Sequence, residues 1–144
     1  MDFTRGVEPC SADRMTGPVA KEGDRIVGID THVVLVPSPT GPVPTPMPMP
    51  FSGLLRDKLS QRVFVDHKAV AVVDSVANNT PPHLPFGGSF QTPPSNKAVV
   101  SSGSGTVFAD HKALARAKDG ASCCNDPSDA ETGHIIASGS VISG

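Results

Sequence analysis

The chain carries "VFADHKALARAKD" at residues 107–119 and a second version of it, "VFVDHKAVAVVD", at residues 63–74. The two copies share Val, Phe, Asp, His, Lys and two Ala in the same order, with one extra residue near the end of the second copy. A match of this length indicates an internal repeat, and this repeated unit determines the fold that the sequence predicts.

Each copy predicts a β-hairpin with a two-residue turn, Asp66-His67 in the first and Asp110-His111 in the second. Such turns need positive φ, which His tolerates less easily than Gly. Pairing outward from the turns opposes one Phe to one Ala in each hairpin. The expected pairs are Val65 with Lys68, Phe64 with Ala69, Ala109 with Lys112 and Phe108 with Ala113.

Alternation along these strands leaves apolar residues on both faces of each hairpin, for example Phe64 on one face and Val65 on the other. We therefore expect each hairpin to pack on two sides and the repeats to stack on one another. The C-terminal "HIIASGSVISG" at 134–144 resembles "VVSSGSGTVF" at 99–108, which predicts a truncated third unit.

The composition predicts a single small domain with a limited core. The chain has 144 residues, of which 38% are hydrophobic and 18% charged, with 14 Gly, 15 Pro and neither Trp nor Tyr. A turn-rich chain with so few large apolar residues needs something besides apolar burial to hold it together.

The charge and the apolar runs limit the possible partners. A net charge of -2 without a basic run excludes an electrostatic grip on nucleic acid. The N-terminal "MDFTRGVEPCSADRM" has no apolar signal region, and no apolar run is long enough to span a bilayer. We therefore expect the protein to be cytoplasmic when it is made.

The sequence divides into an irregular N-terminal arm, residues 1–22, and a domain at 23–144. Within the domain, a proline-rich strap at 36–50 excludes a helix and a central strand, and predicts either a linker or an extended edge segment. Residues 54–63 fit a helix or a strand equally well. The stretch 78–97 is dense in Pro, Gly and Asn, and predicts a long loop that something ties down.

The repeats resemble the PAAR-repeat family, whose pattern is "GD..SH" followed by "SGS.TVF.NGK.AAR..D..SC". The matching stretches are "GIDTH" at 28–32, "SGSGTVFADHKALARAKDGASC" at 102–123 and "GHIIASGSVISG" at 133–144. The chain departs from the family in its Asp-His turns, in the divergent first copy, and in the added strap and loop.

The resemblance implies an all-β, cone-like domain of pseudo-threefold β-hairpin repeats stapled by a structural zinc ion. It also implies the function of a spike tip, which caps and sharpens the trimeric β-helical spike of a contractile injection apparatus, either type VI secretion or a phage-tail-like particle. The expected partners are the spike trimer, with one chain per trimer, effector cargo, and a target membrane in transient contact. The isolated chain is expected to be a monomer, and it reaches the tip of the particle after synthesis and the outside on firing.

The candidate zinc ligands are His32, His83, Cys123 or Cys124, and His134. Zinc favours four tetrahedral Cys and His ligands in a structural site. The resemblance aligns His32, Cys123 and His134 with family positions, and His83 is chosen because His67 and His111 are assigned to the hairpin turns. Adjacent residues of a strand point in opposite directions, so only one of the two cysteines should bind. Cys10, in the arm, is expected to be a free thiol.

Two other functions stay open at this point. A small zinc hydrolase needs an open coordination position and a general base, and only Glu131 of the three Glu residues lies near a candidate ligand. A tail-fibre or adhesin-like β-module without metal is the second alternative. We expect no enzymatic activity.

Overall fold

A computed structural model describes residues 16–144, which form strands and turns without a helix. The prediction of an all-β fold is confirmed. The strands are β1 (Gly17–Pro18), β2 (Arg25–Val36), β3 (Val43–Asp57), β4 (Phe64–Val65), β5 (Lys68–Ala69), β6 (Val76–Asn79), β7 (Ser89–Phe90), β8 (Lys97–Val100), β9 (Phe108–Ala109), β10 (Lys112–Ala113), β11 (Gly120–Cys123), β12 (Ala130–Ile136) and β13 (Ile142–Ser143).

Six of these strands close into an antiparallel barrel. The order is β12-β11-β8-β6-β3-β2, and β12 pairs with β2 to complete the ring. Alternate residues of each strand face the interior, where the largest buried side chains are Ile26, Phe51, Leu55 and Ile135. Alanines fill much of the remaining interior, so the barrel is narrow and its core is small.

The barrel has internal threefold pseudosymmetry at one end. Residues 19–24, 70–75 and 114–119 each lead into a pair of barrel strands: β2 with β3, β6 with β8, and β11 with β12. Each of these segments forms an isolated antiparallel β-bridge with each of the other two. Their central alanines form a closed ring in which each N–H donates to the carbonyl of another: Ala20 to Ala115, Ala115 to Ala71, and Ala71 to Ala20. We call this the alanine ring. The predicted pseudo-threefold repeat is therefore present as a closed structure.

The three segments also share one turn. The fifth residue of each has positive φ, and the side-chain oxygen of the sixth accepts a hydrogen bond from the N–H three residues earlier. The accepting residues are Asp24, Ser75 and Asp119. "VAKEGD" at 19–24 is thus the third copy of a motif of which only two copies are recognisable from the sequence.

The two hairpins have the predicted register. Phe64 pairs with Ala69, and Phe108 with Ala113, around turns whose Asp and His residues all have φ between 51° and 67°. The third hairpin is assembled from the two ends of the described chain, because β13 pairs with β1 and places Ile142 opposite Pro18. The truncated third unit is thus completed by Gly17 and Pro18, at the start of the described residues.

The expectation that both hairpin faces are packed is wrong. Phe64 and Phe108 are 58% and 59% exposed, whereas Val70 and Leu114 are buried. Val65 and Ala109 point to the opposite face of their hairpins and pack in a buried cluster with Val19, Val70, Val72 and Leu114. The outer Phe side chains project from the end of the molecule.

The boundary placed after residue 22 is also wrong for residues 16–22. Val19 and Ala20 are buried, and this segment carries β1 and one side of the alanine ring. The segment reads as irregular in the sequence because its partners lie far away in the chain. Residues 1–15, including Cys10, lie outside the described part.

The proline-rich strap forms an edge of the sheet, one of the two predicted outcomes. β3 pairs with β2 from Val43 to Leu54, but its second neighbour, β6, begins only at Gly53. Pro44, Pro46, Pro48 and Pro50 are all exposed. Because N–H and C=O groups alternate sides along a strand, the missing N–H groups all fall on the open edge, and the residues between them bond to β2.

The structure also assigns the two remaining segments, residues 54–63 and the predicted loop at 78–97. Residues 54–57 belong to β3, and the chain then turns towards β4. The predicted loop at 78–97 begins at the end of β6 and contains β7, which pairs with Val34 and Leu35 of β2. The backbone N–H of Asn79 donates to the carbonyl of Asn96, which closes the base of the loop.

Candidate metal centre

Four potential ligands meet inside the barrel at the end away from the alanine ring. Asp30 and His32 are alternate inward residues of β2, His83 lies in the loop after β6, and Cys124 follows the last residue of β11. β2, β6 and β11 all run away from the alanine ring, so their distal ends meet here. Each of the three pseudosymmetric units therefore contributes to the cluster.

The ligand atoms are spaced as metal ligands are. His83 Nε2 lies 2.9 Å from Asp30 Oδ2, Cys124 Sγ lies 3.4 Å from the same oxygen, and Cys124 Sγ lies 3.6 Å from His32 Nε2. All four ligand atoms lie within 4.8 Å of one another. A tetrahedral zinc ion with bonds of about 2.0–2.3 Å separates its ligand atoms by about 3.3–3.6 Å. The cluster can therefore hold a metal ion with small shifts of its side chains.

The cluster is enclosed. Exposure is at most 8% at any of the four residues. Phe51 and Phe90 place their rings 6.2 Å from the His83 ring and 5.9 Å from the His32 ring, respectively. A buried carboxylate needs a compensating charge or several hydrogen bonds, and Asp30 receives bonds from His83, Cys124 and Thr132. A divalent cation would supply that charge directly.

The surroundings of Cys124 and His32 favour the neutral forms of these two side chains. Burial, followed by the negative charge of Asp30, raises the pKa of Cys124 to about 11. Burial, followed by repulsion from His83, lowers the pKa of His32 below its usual value. A neutral imidazole is the form that binds metals, and a bound cation would favour the thiolate of Cys124.

A carboxylate outside the four-residue cluster, that of Asp126, lies near His32. Its Nδ1 is buried without a hydrogen bond and lies 3.7 Å from Asp126 Oδ2. The same carboxylate oxygen accepts the N–H of Val33, which fixes its position. A metal-bound histidine usually donates its second nitrogen to a carboxylate, and Asp126 is placed for that role.

The structure brings together His32, His83 and Cys124 of the predicted ligands. Cys123 is absent from the cluster and belongs to the hydrophobic core, with its pKa raised to about 12, first by burial and then by the charge of Asp30. The alternative of Cys124 as the one cysteine ligand therefore agrees with the structure.

His134 is not brought to the cluster. It lies on β12 between Gly133 and Ile135, which face the interior, so strand alternation directs His134 to the exposed outer face. Its place in the cluster is taken by Asp30, which the sequence analysis missed. The available signal was position: Asp30 stands two residues before His32, on the same face of a strand.

Other candidate residues lie elsewhere. His67 and His111 are exposed at the hairpin turns, as predicted. Glu131, the proposed base of a hydrolase, is exposed and accepts a hydrogen bond from Ser101. No acidic residue other than Asp30 joins the four-residue cluster within residues 16–144.

Among the described residues, no helix has the length and apolar character needed to cross a membrane. The chain matches no family model, no curated protein and no solved structure.

Proposed function

We propose that this protein is a metal-stapled cap for a threefold-symmetric partner, namely the trimeric β-helical spike of a contractile injection apparatus. The observation that carries the proposal is the hairpin end of the molecule. Each hairpin presents one exposed Val beside one exposed Phe or Ile. The residues and their exposures are Val63 39%, Val107 40%, Val141 43%, Phe64 58%, Phe108 59% and Ile142 56%. The six residues form three pairs, one on each hairpin, and we call the three pairs the apolar triad.

The closely similar exposures of the three pairs support a partner with threefold symmetry. Three copies of one patch, related by the pseudosymmetry of the alanine ring, match the three identical chains of a trimer. A single chain can present three similar patches only because it contains three hairpins, the third of which is made from β13 and β1. We therefore expect one chain per trimer and a monomer in isolation.

The contact is expected to be mainly apolar. The net charge of -2 provides little long-range attraction, whereas the apolar triad provides side chains that lose water on docking. The short hairpin strands add backbone groups at the same end.

A bound metal ion would stabilise the opposite end of the molecule. Asp30 and His32 come from the first unit, His83 from the second and Cys124 from the third, so a cation bound by all four would tie the three units together. Asp30 and a Cys124 thiolate would neutralise a divalent cation such as zinc. Bound zinc can supply on the order of 10 kcal/mol of folding free energy, which suits a domain with a small core and a mechanical role.

Native mass spectrometry tests the cap directly. The purified chain is mixed with a trimeric β-helical spike protein from its source organism, and the complex is weighed. We expect one chain per trimer. Three chains per trimer, or no complex with any such spike, would contradict the proposal.

The two alternatives have less support. In a hydrolase, substrate must reach the metal, but all four ligands are at least nine-tenths buried and Glu131 lies on the outer surface. A metal-free adhesin-like module would leave the close Asp-His-His-Cys cluster without a purpose. Stoichiometric zinc in protein purified without added metal separates the cap from the metal-free module.

The proposed role implies a sequence of locations for the protein. It is made in the cytoplasm, placed at the tip of the particle, and exported on firing. Leu84 and Phe86 are 59% and 69% exposed near the metal end, beside a cavity of about 280 Å³. We propose this end for contact with cargo or with the target membrane.

A further inference from the structure

His83 lies in a chain of hydrogen bonds that runs from the backbone of β3 to the metal cluster. The N–H of Ser52 donates to Asn79 Oδ1 over 2.9 Å, and Asn79 Nδ2 lies 3.3 Å from His83 Nδ1. On the far side of the ring, His83 Nε2 lies 2.9 Å from Asp30 Oδ2. Asn79, His83 and Asp30 are all buried.

The direction of this chain fixes the position of the proton on His83. A backbone N–H can only donate, so it holds the amide oxygen of Asn79 towards Ser52 and the amide NH2 towards His83. The NH2 group can only donate, so Nδ1 must accept. The ring proton therefore lies on Nε2, from which it is donated to Asp30.

Metal binding requires the other tautomer. Nε2 of His83 faces Asp30 in the cluster, whereas Nδ1 faces Asn79, so Nε2 must offer the lone pair that binds a cation. The proton then lies on Nδ1, where it meets the NH2 group of Asn79. Rotating the Asn79 amide by half a turn moves the same donor-donor conflict to the N–H of Ser52.

We propose that Asn79 is a positioning residue that holds His83 in its Nε2–H tautomer and thereby weakens metal binding. The proposal rests on the metal role described above. The metal-free cluster is stabilised by its own hydrogen bonds, and loading transfers the His83 proton from Nε2 to Nδ1 with no net change on that ring.

The tautomer is measured by nitrogen-15 NMR of the imidazoles in the full chain after chelator treatment. We expect His83 Nδ1 to resonate as an unprotonated nitrogen and Nε2 as a protonated one, with the assignments exchanging when zinc is added. A protonated Nδ1 in the metal-free protein would overturn the proposal.

Asn79→Asp tests the effect on affinity. The second carboxylate oxygen can accept the Nδ1–H of His83 while the first still accepts the N–H of Ser52. We expect zinc to bind about 10–100-fold more tightly, the usual scale of such outer contacts. The matched control is Asn78→Asp, which adds the same charge one residue away, where Asn78 contacts Asp57.

An Asn79→Asp affinity no greater than that of Asn78→Asp would refute the proposal. If Asn79→Asp does not fold, the tautomer of the wild-type chain decides. If the wild-type chain takes up no zinc, the metal role is refuted on its own. The spike experiment, which concerns the opposite end, is independent of both.

Discussion

At the scale of single residues, Cys124 is the candidate ligand whose loss should be easiest to detect. We expect Cys124→Ser to lower the bound zinc from one equivalent to below half, because a serine hydroxyl is a far weaker ligand than a thiolate. Elemental analysis of protein purified without added metal measures this. His134→Gln is the matched control and should retain full zinc, because His134 lies on the outer face of β12. Loss of zinc in His134→Gln would contradict the assignment of Asp30 as the fourth ligand.

The shifted pKa values predict how the stability of the chelated protein varies with pH. The folded-state pKa of His32 is lowered from 6.5, so below about pH 6.5 the unfolded chain binds a proton that the folded chain does not. The pKa of Cys124 is raised from 9.0 to about 11, so between these values the unfolded chain loses a proton that the folded chain keeps. Stability should therefore fall as pH decreases below 6.5 and as it rises from 9 to 11.

Urea unfolding of the chelator-treated protein across this range measures the effect. His32→Gln should make the free energy of unfolding depend less on pH below 6.5. Cys124→Ser should make it depend less on pH between 9 and 11, where Cys123 also contributes. A stability that is independent of pH below 6.5 in the wild type would show that His32 is not held neutral.

Part of the metal cluster can be predicted from the residues and part cannot. His32, His83 and Cys124 are of types that bind zinc, so they are natural candidates. Asp30 is a less obvious candidate, because a carboxylate in a strand usually faces solvent. Its burial involves His83, Cys124 and Thr132, which lie far from it in the chain. The exclusion of His134 depends on which face of β12 is inward, a fact set by the long-range packing of Ile135.

At the scale of elements, the proline pattern of β3 should prevent self-association. The open edge at residues 43–50 offers carbonyl acceptors but no N–H at Pro44, Pro46 or Pro48. Replacing these three prolines by Thr restores three donors along an exposed edge, so we expect edge-to-edge dimers. Sedimentation should show a monomer for the wild type and a concentration-dependent dimer for the variant.

The matched control replaces three other prolines by Thr at positions outside the strands, namely Pro37, Pro42 and Pro93. It makes the same change in composition without adding donors to the edge. Both variants should lose some stability, because Thr leaves the unfolded chain more freedom than Pro. Equal dimerisation of the two variants would show that the edge is not the cause.

The elements also show where sequence reasoning succeeds. The two hairpins are predicted to the residue, because a two-residue turn fixes the register of its own strands. The barrel is not predicted, because β12 and β2 are far apart in the chain and carry no local signal for pairing. The alternating prolines predict an edge, but not which strand they pair with.

At the scale of the whole molecule, the two proposed roles belong to opposite ends. The alanine ring and the apolar triad occupy one end, and the Asp30, His32, His83 and Cys124 cluster lies at the other. This separation allows the two roles to be tested independently. Substitutions in the cluster should change metal content and stability, and exposed substitutions in the triad should change spike binding alone.

The pseudosymmetry makes a strict prediction about Phe64, Phe108 and Ile142. Each is more than half exposed and occupies the same position in its hairpin, so each should contribute equally to docking on a threefold partner. We expect Phe64→Ser, Phe108→Ser and Ile142→Ser each to weaken spike binding by about 5–30-fold, corresponding to about 1–2 kcal/mol of lost apolar burial. The triple variant should not bind detectably, and its thermal stability should remain close to that of the wild type because these side chains pack little in the free protein.

Titration calorimetry against the spike trimer measures the three affinities, and Phe86→Ser is the matched control. Phe86 is an aromatic residue at the opposite end and is even more exposed, at 69%, so its loss should leave the affinity unchanged. The informative case is Ile142, since its hairpin is built from β13 and β1 instead of a continuous turn. If Ile142→Ser has no effect while the two Phe variants do, the partner contacts two hairpins and is not threefold. A loss shared equally by all three requires a partner that presents the same surface three times around the axis of the alanine ring.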